Sequence, residues 1–325
     1  MDEAGLQRAL ASYKRVSETV RRDMLEPEAT RGGNDNTVWK TMESGIRVMS
    51  RRYIATALPI ELFEVEIRDI WYMFTVAAQN TEVHHPAQDT LLRIISCAQG
   101  RGVLQRMTKQ ETAIGASELI EEEPTPLKAE GQVAETSQGR IWVDMPFLVQ
   151  DVRDAWKKLM EPSASFTQRC NLTAAIARLA GSRVCGHSFS QCGLEIMKQA
   201  LETPPIPLSP SSSPSGFDNS GERLALVEIW LRYAGEELLR QCLDGSTYID
   251  FSWALDGQQS VGPLAREAGI DPATAFSRER FLLWKNRLEA MKAEPGDDMT
   301  VDVRCALMIT AIWDDYFGIL PYKRA

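Results

Sequence analysis

Residues 59–81 read PIELFEVEIRDIWYMFTVAAQNT, and the reading of this stretch decides the fold class. Phe63, Ile67, Ile70, Trp71, Phe74, Ala77 and Ala78 recur at steps of three and four, which puts them on one face of an α-helix. Pro59 opens the segment, where a first helical turn tolerates a residue without an N–H.

The same period returns along the chain. Behind Pro86, Leu91, Ile94, Ile95 and Ala98 line up until Gly100 and Gly102 stop them. Thr108-Lys109-Gln110-Glu111 has the form of a capping box for a short helix. Further stripes run through Phe147, Val149, Val152 and Trp156, and through Leu172, Ala175, Ile176 and Leu179. Another helix is expected from Ser190 to Leu201. Val227, Trp230, Leu231, Ala234, Leu238 and Cys242 share a face that ends at Asp244-Gly245. Phe281, Trp284, Leu288 and Met291 mark one more helix, and Val303, Ala306, Leu307, Thr310, Trp313 and Phe317 the last. Only Tyr248 to Trp253 alternates in the manner of a strand. The expectation is an all-α chain, a bundle of about nine or ten helices with no sheet.

Two stretches interrupt the pattern. Residues 121–139 (EEEPTPLKAEGQVAETSQG) and 203–220 (TPPIPLSPSSSPSGFDNS) lack apolar periodicity and read as flexible loops. The second contains Ser209-Pro210 and Ser213-Pro214, the pattern of proline-directed phosphorylation sites as well as of a plain Ser/Pro loop. The pieces between the loops hold too few helices to bury their own stripes, so residues 1–325 are expected to form one helical domain with two insertions.

Composition excludes several classes. The 325 residues are 44% hydrophobic and 25% charged, the balance of a globular protein. A net charge of −9, a pI near 5.1 and only isolated Arg pairs argue against a nucleic-acid partner. No apolar run of about 18 residues exists to span a bilayer. The first residues carry no basic-then-apolar secretory pattern, so the expected place is the cytoplasm, with the nucleus possible. There the six cysteines read as buried thiols, and the Asn171-Leu172-Thr173 sequon as a chance match.

Motifs that carry chemistry are sparse. No glycine-rich phosphate loop and no G-x-S-x-G elbow is present, so no nucleotide cofactor is expected. Three histidines limit any nucleophile–base pair to His84, His85 or His187. Adjacent His84 and His85 diverge by about 100° on a helix and read as a solvated terminus. Cys185-Gly-His187-Ser-Phe-Ser-Gln-Cys192 places two thiols and an imidazole close together, as a reactive Cys185–His187 pair or a turn with buried cysteines. Its spacing fits no zinc site, and no metal is expected.

Asp314 and Asp315 within Trp313-Asp-Asp-Tyr-Phe317 suggest a general acid, but neighbours cannot share a helix face to chelate magnesium as prenyl-converting enzymes require. Asp250 completes the candidate catalytic set. Trp230, Trp284 and Trp313 sit at core-facing steps and are the candidates for walls of an apolar ligand pocket between helices.

A family resemblance rests on segments in order. Trp142-Val-Asp-Met-Pro-Phe147 precedes Val152-Arg-Asp-Ala-Trp156, then Asn171-Leu-Thr-Ala-Ala-Ile-Ala-Arg-Leu179 and Ala200-Leu201-Glu202 ahead of a loop. Ile229-Trp-Leu-Arg-Tyr-Ala-Gly235, Gly262-Pro263-Leu264 and Phe281-Leu-Leu-Trp-Lys285 follow. From about Leu58 to Met308 the chain resembles a fungal family catalogued as domain of unknown function 3632. One departure stands beside the Asn-Leu segment, where Arg169-Cys170 replaces an expected aromatic.

The resemblance implies a fungal source and a helical fold with a variable loop near 203–220, and no activity. The first functional expectation is an interaction or regulatory protein with a protein partner. The alternative is a cofactor-independent enzyme of fungal small-molecule (secondary) metabolism, a cyclase, lyase or transferase with an aromatic-lined pocket. A passive carrier of a small apolar ligand is the third.

Overall fold

A computed structural model describes residues 2–24, 37–107, 131–204, 220–247, 249–255, 260–292 and 300–317. The expected capping box at 108–111, residues 121–130 of the first loop and 205–219 of the second, with both Ser-Pro pairs, lie outside the described residues. Among the described residues the fold is all-α, with a single two-stranded hairpin.

The chain groups into two compact units. The first takes in Met1–Asn80 and Asp89–Val152, the second Thr81–Gln88 and Arg153–Ala325. In the first, α1 (Glu3–Met24), α2 (Thr37–Ala55) and α3 (Ile60–Gln79) pack together, and α4 (Ala87–Gln99) follows. Neither α1 nor α2 stands out in the sequence reading. The segment that decides the class is α3, with Pro59 at its N-cap and Phe63, Ile67, Ile70, Trp71 and Phe74 buried. Met42, Ile46, Met49 and Tyr53 of α2 supply further core, as do Leu91, Ile94, Ile95 and Ala98 of α4.

Residues 131–147 are bound to that core by two indole N–H groups. Trp71 Nε1 donates to the Pro146 carbonyl at 2.8 Å, and Trp142 Nε1 to Ser50 Oγ at 3.0 Å. Buried indoles need such partners. The hairpin pairs β1 (Glu135–Thr136) with β2 (Gly139–Arg140), Glu135 opposite Arg140. Gly139 has φ 115°, and a side chain there would meet Asp144 at 2.8 Å, so only glycine closes this turn. Asp144 uses the space to bind the Arg140 backbone N–H and guanidinium, which together hold its carboxyl at about 2.

The helix α5 (Leu148–Leu159) leads to the second unit's α6 (Phe166–Gly181) and α7 (Ser190–Leu201). Then come α8 (Ser220–Asp244), the five-residue α9 (Pro263–Glu267), α10 (Arg278–Lys292) and α11 (Val301–Phe317). Ser165 Oγ caps α6, and every residue of α6 from Arg169 to Ala180 is buried. The central helix is α8, packed against α6, α7, α10 and α11 and bent at Ala234 (φ −142°, ψ 15°).

Arg169, where an aromatic was expected, lies in the core. Its guanidinium donates to the carbonyls of Leu159 and Glu161 and to the Glu222 carboxylate. The strand expected at Tyr248–Trp253 is instead a 3-10 turn at Phe251–Trp253, with Tyr248 outside the described residues. Asp250 Oδ1 accepts the Ser252 N–H and starts that turn. Trp253 then buries its ring against Trp156 and Phe189.

Candidate functional site

The turn that follows α6 builds one wall of a cleft in the second unit. Arg183, Cys185 and Gly186 all have positive φ, at 55°, 57° and 64°. Such angles cost a residue with a Cβ about 1 kcal/mol, and strained turns of this kind collect at functional sites. The turn is fixed by the Val184 N–H on the Leu179 carbonyl and the Arg183 N–H on that of Ala180. It carries Arg183 and His187 to the face of α8 bearing Glu236, Glu237 and Arg240. With Ala311, Ile312, Asp315 and Tyr316 of α11, these α8 residues, Gly181 and Arg183 line an open cleft of about 480 Å3.

Glu237 is the centre of the cleft's chemistry. Its side chain is only 4% exposed, yet it accepts from Arg183 Nε at 3.0 Å, from Gln241 Nε2 at 2.9 Å and from both Nε and Nη2 of Arg240. Burial pushes its carboxyl up, and the hydrogen bonds from Arg240, Gln241 and Arg183 overcome it, bringing Glu237 to about 2. His187 Nδ1 lies 3.4 Å from Glu237 Oε1 and from Arg240 Nη2. Nε2 of His187 and the two outer nitrogens of Arg183 have no protein partner among the described residues. Arg240 is fully committed, since its Nη1 also pairs with Asp244.

Of the sequence candidates, Asp315 lines this cleft and His187 touches its Glu237–Arg240 pair from the adjoining turn, while the others lie outside the lining. Asp314 is half-buried on another side of α11. Cys185 belongs to the same turn as His187, but burial pushes its thiol up to about 12, far from a thiolate nucleophile. Asp250 borders a separate cavity of about 20 Å3, beside Gln191 and the buried Lys198–Glu195 pair (2.7 Å), with room for about one water.

The three tryptophans are in the core. Trp230 lies over Gly193, Trp284 donates to Glu202, and Trp313 stacks on Phe281 at 5.8 Å. His84 Nδ1 meets the Tyr233 hydroxyl at 2.9 Å, and His85 Nδ1 accepts the Ala87 N–H. Among the described residues no group of three or more His, Cys, Asp or Glu is arranged to hold a metal ion. No helix among them is long and apolar enough to cross a membrane.

Sequence reasoning passes over Glu237, Arg183, Arg240 and Tyr316. A signal was present. Trp230, Ala234, Glu237 and Gln241 follow one another at steps of four, three and four, so two polar residues sit on an apolar stripe.

Residues 71–288 match the model of a family described as proteins of unknown function (DUF3632). The chain is similar to the oxopyrrolidines biosynthesis cluster protein G of Penicillium oxalicum, at 24% identity over 257 residues. That match covers 76% of this chain and 65% of the relative, so the chain spans just under two thirds of that protein's length. No solved structure matches the chain.

Proposed function

We propose that this chain, which belongs to the DUF3632 family of proteins of unknown function, handles a small carbonyl-bearing molecule of fungal secondary metabolism at the cleft of its second unit. His187 is the residue that takes and returns a proton. One observation carries the reading: a buried carboxylate, Glu237, ionised throughout the neutral range, faces the Nδ1 edge of that imidazole. Glu237 Oε1 and Arg240 Nη2 both stand 3.4 Å from Nδ1, so the imidazole is held from that edge and its Nε2 is left outward to take or give a proton. The 3.4 Å separation is long for a hydrogen bond, and such contacts tighten when a ligand excludes water.

Arg183 supplies the complementary charge. With its Nε held by Glu237, its outer nitrogens can meet an oxygen that gains negative charge as a proton leaves the neighbouring atom. Asp315 and Tyr316 on α11 add polar groups across the cleft. Proton transfer next to a carbonyl underlies cyclisation and elimination, so the reading falls on the cyclase and lyase side of the sequence expectation. Support from comparison is the name of the Penicillium relative, a biosynthesis cluster protein.

The test is native mass spectrometry of the full chain purified from a fungal host. A bound small molecule is expected, lost in Arg183→Ala and retained in His187→Ala, with the unreacted precursor accumulating in the second strain. A second reading, a protein-docking role, is favoured by the exposed Leu307, Tyr316 and Phe317 of α11. A stoichiometric protein partner without any small-molecule adduct would replace the first reading with the second.

A further inference from the structure

The first unit contains a buried cation that no acid among the described residues answers. The side chain of Arg106 is 3% exposed. Its Nη2 donates to the Leu58 carbonyl at 2.6 Å, its Nη1 reaches that of Tyr53 at 3.5 Å, and its plane lies 4.3 Å from the Tyr53 ring centre. Its Nε is buried without a hydrogen-bond partner. No carboxylate pairs with it among the described residues, although twelve or more arginines elsewhere in the described fold find one. Taking a guanidinium out of water costs several kcal/mol, and two neutral carbonyls and a ring face return only part of that.

Arg106 lines a cavity of about 650 Å3 whose other walls are Ser50, Ile54, Arg101, Val103, Leu104, Gln105, Met107 and Trp142. Two cations thus border a pocket otherwise made mostly of apolar side chains. We infer that this pocket binds an organic acid, with its carboxylate on Arg106 and Arg101 and its hydrocarbon body against Ile54, Val103, Leu104, Met107 and Trp142. The chemistry follows from the lining. A carboxylate at the wall formed by Arg106 and Arg101 neutralises the buried charge, and an apolar tail removes the remaining walls from water. A free inorganic anion would leave the apolar walls wet, and a neutral lipid would leave the cation unmatched.

The probe pair is octanoate and octanol, which share a chain and differ in charge. Each is titrated into the full-length protein against bound anilinonaphthalene sulfonate, read by fluorescence displacement. Octanoate is expected to bind at least about tenfold more tightly than octanol, the discrimination of one charge-assisted hydrogen bond. Arg106→Lys should keep most of that preference, and Arg106→Gln should abolish it. Because Arg106 also holds the Leu58 and Tyr53 carbonyls, Arg106→Gln can fail to fold, so Arg101→Gln serves as the second variant. It should reduce the preference while leaving the fold intact. Equal affinity for octanoate and octanol, or no binding of either by the unaltered protein, overturns the inference whatever the variants do. The result is independent of the cleft at Glu237, which lies in the second unit.

Discussion

Arg280 and Glu202 form an ion pair from which water is wholly excluded. Both side chains are 0% exposed, Nε and Nη2 of Arg280 meet the two carboxylate oxygens at 2.6 and 3.0 Å, and all three guanidinium nitrogens are engaged. Arg280 Nη1 donates to the Ala275 carbonyl and Nη2 to that of Ser260, while Glu202 accepts from Trp284 Nε1 and the Gly262 N–H. Three of the segments that carry the family resemblance, those containing Glu202, Gly262 and Trp284, therefore meet at one carboxylate. A Cβ on Gly262 would stand 2.5 Å from that of Glu202, so glycine is required for the approach. Part of the family pattern is thus a record of structure and not of chemistry.

Removing one member of this pair strands the other. Glu202→Gln is expected to destabilise the second unit by about 3–5 kcal/mol, the cost of an uncompensated buried charge. Urea unfolding followed by tryptophan fluorescence measures it. A loss under about 1 kcal/mol would show that water reaches Arg280 in solution.

Two glycines in helices should respond in opposite ways to alanine. In α7 a Cβ on Gly193 would lie 2.7–2.9 Å from three ring atoms of the fully buried Trp230, which has nowhere to move. Gly193→Ala is expected to cost about 1–3 kcal/mol through overpacking, more than the helix propensity it gains. In α2 a Cβ on Gly45 meets only Met73 and Ile70, at 3.7 and 3.8 Å, ordinary contacts. There alanine should stabilise by about 0.5–1 kcal/mol. Shifts of one sign at both positions, read in urea midpoints, contradict this account.

The all-α class was legible because burial on one side of a helix leaves a three-to-four period, and in α3, α10 and α11 the apolar residues keep it. α1 and α2 escaped notice for the converse reason. Val16 and Val20 of α1 and Val48 of α2 are exposed, and buried Ser17 and Ser50 stand where an apolar residue marks a stripe. The stretch at Phe251–Trp253 imitates a strand because a 3-10 turn, like a strand, carries the buried Trp253 without a three-to-four period. His187 and Asp315 were legible as chemistry-bearing types. Their proximity to Glu237, Arg183 and Arg240 was not, since it depends on a left-handed turn at Arg183 and Cys185 that no periodicity announces. The three candidate tryptophans are buried for a packing reason. A helix that turns Trp230 and Trp284 inward fills the space between helices with their rings, and neither lines the cavities described above.

Cysteine chemistry offers a direct check on the turn. Cys97 is exposed, whereas burial pushes Cys170, Cys185 and Cys242 up to about 12 and Cys192 well above its ordinary value. Brief treatment of the native protein with iodoacetamide at pH 8 is expected to add one group, at Cys97. Modification of Cys185 at a comparable rate would mean that its thiol is reachable and ionised, and would restore the Cys185–His187 pair as a nucleophile and base.

The Glu237 cluster makes the stability of the second unit depend on pH. In the fold its carboxyl sits at about 2, below the ordinary 4.5, so the unfolded chain binds its proton first as pH falls. A depressed carboxyl stabilises the fold fully above the unfolded value, and the contribution disappears as pH falls through the folded one. The unaltered protein should therefore lose this increment between about pH 4.5 and 2, and Glu237→Gln should have no such increment to lose. At pH 7 the variant is expected to be the less stable, by urea midpoint, and the gap should narrow below pH 4.5. Asp144, also held at about 2, titrates alike in both proteins, so the difference between the two curves isolates Glu237. A gap that stays constant from pH 7 to 3 would mean that Arg183, Arg240 and Gln241 do not hold the ionised carboxylate in solution. The oriented imidazole of His187 would then lose its support as well.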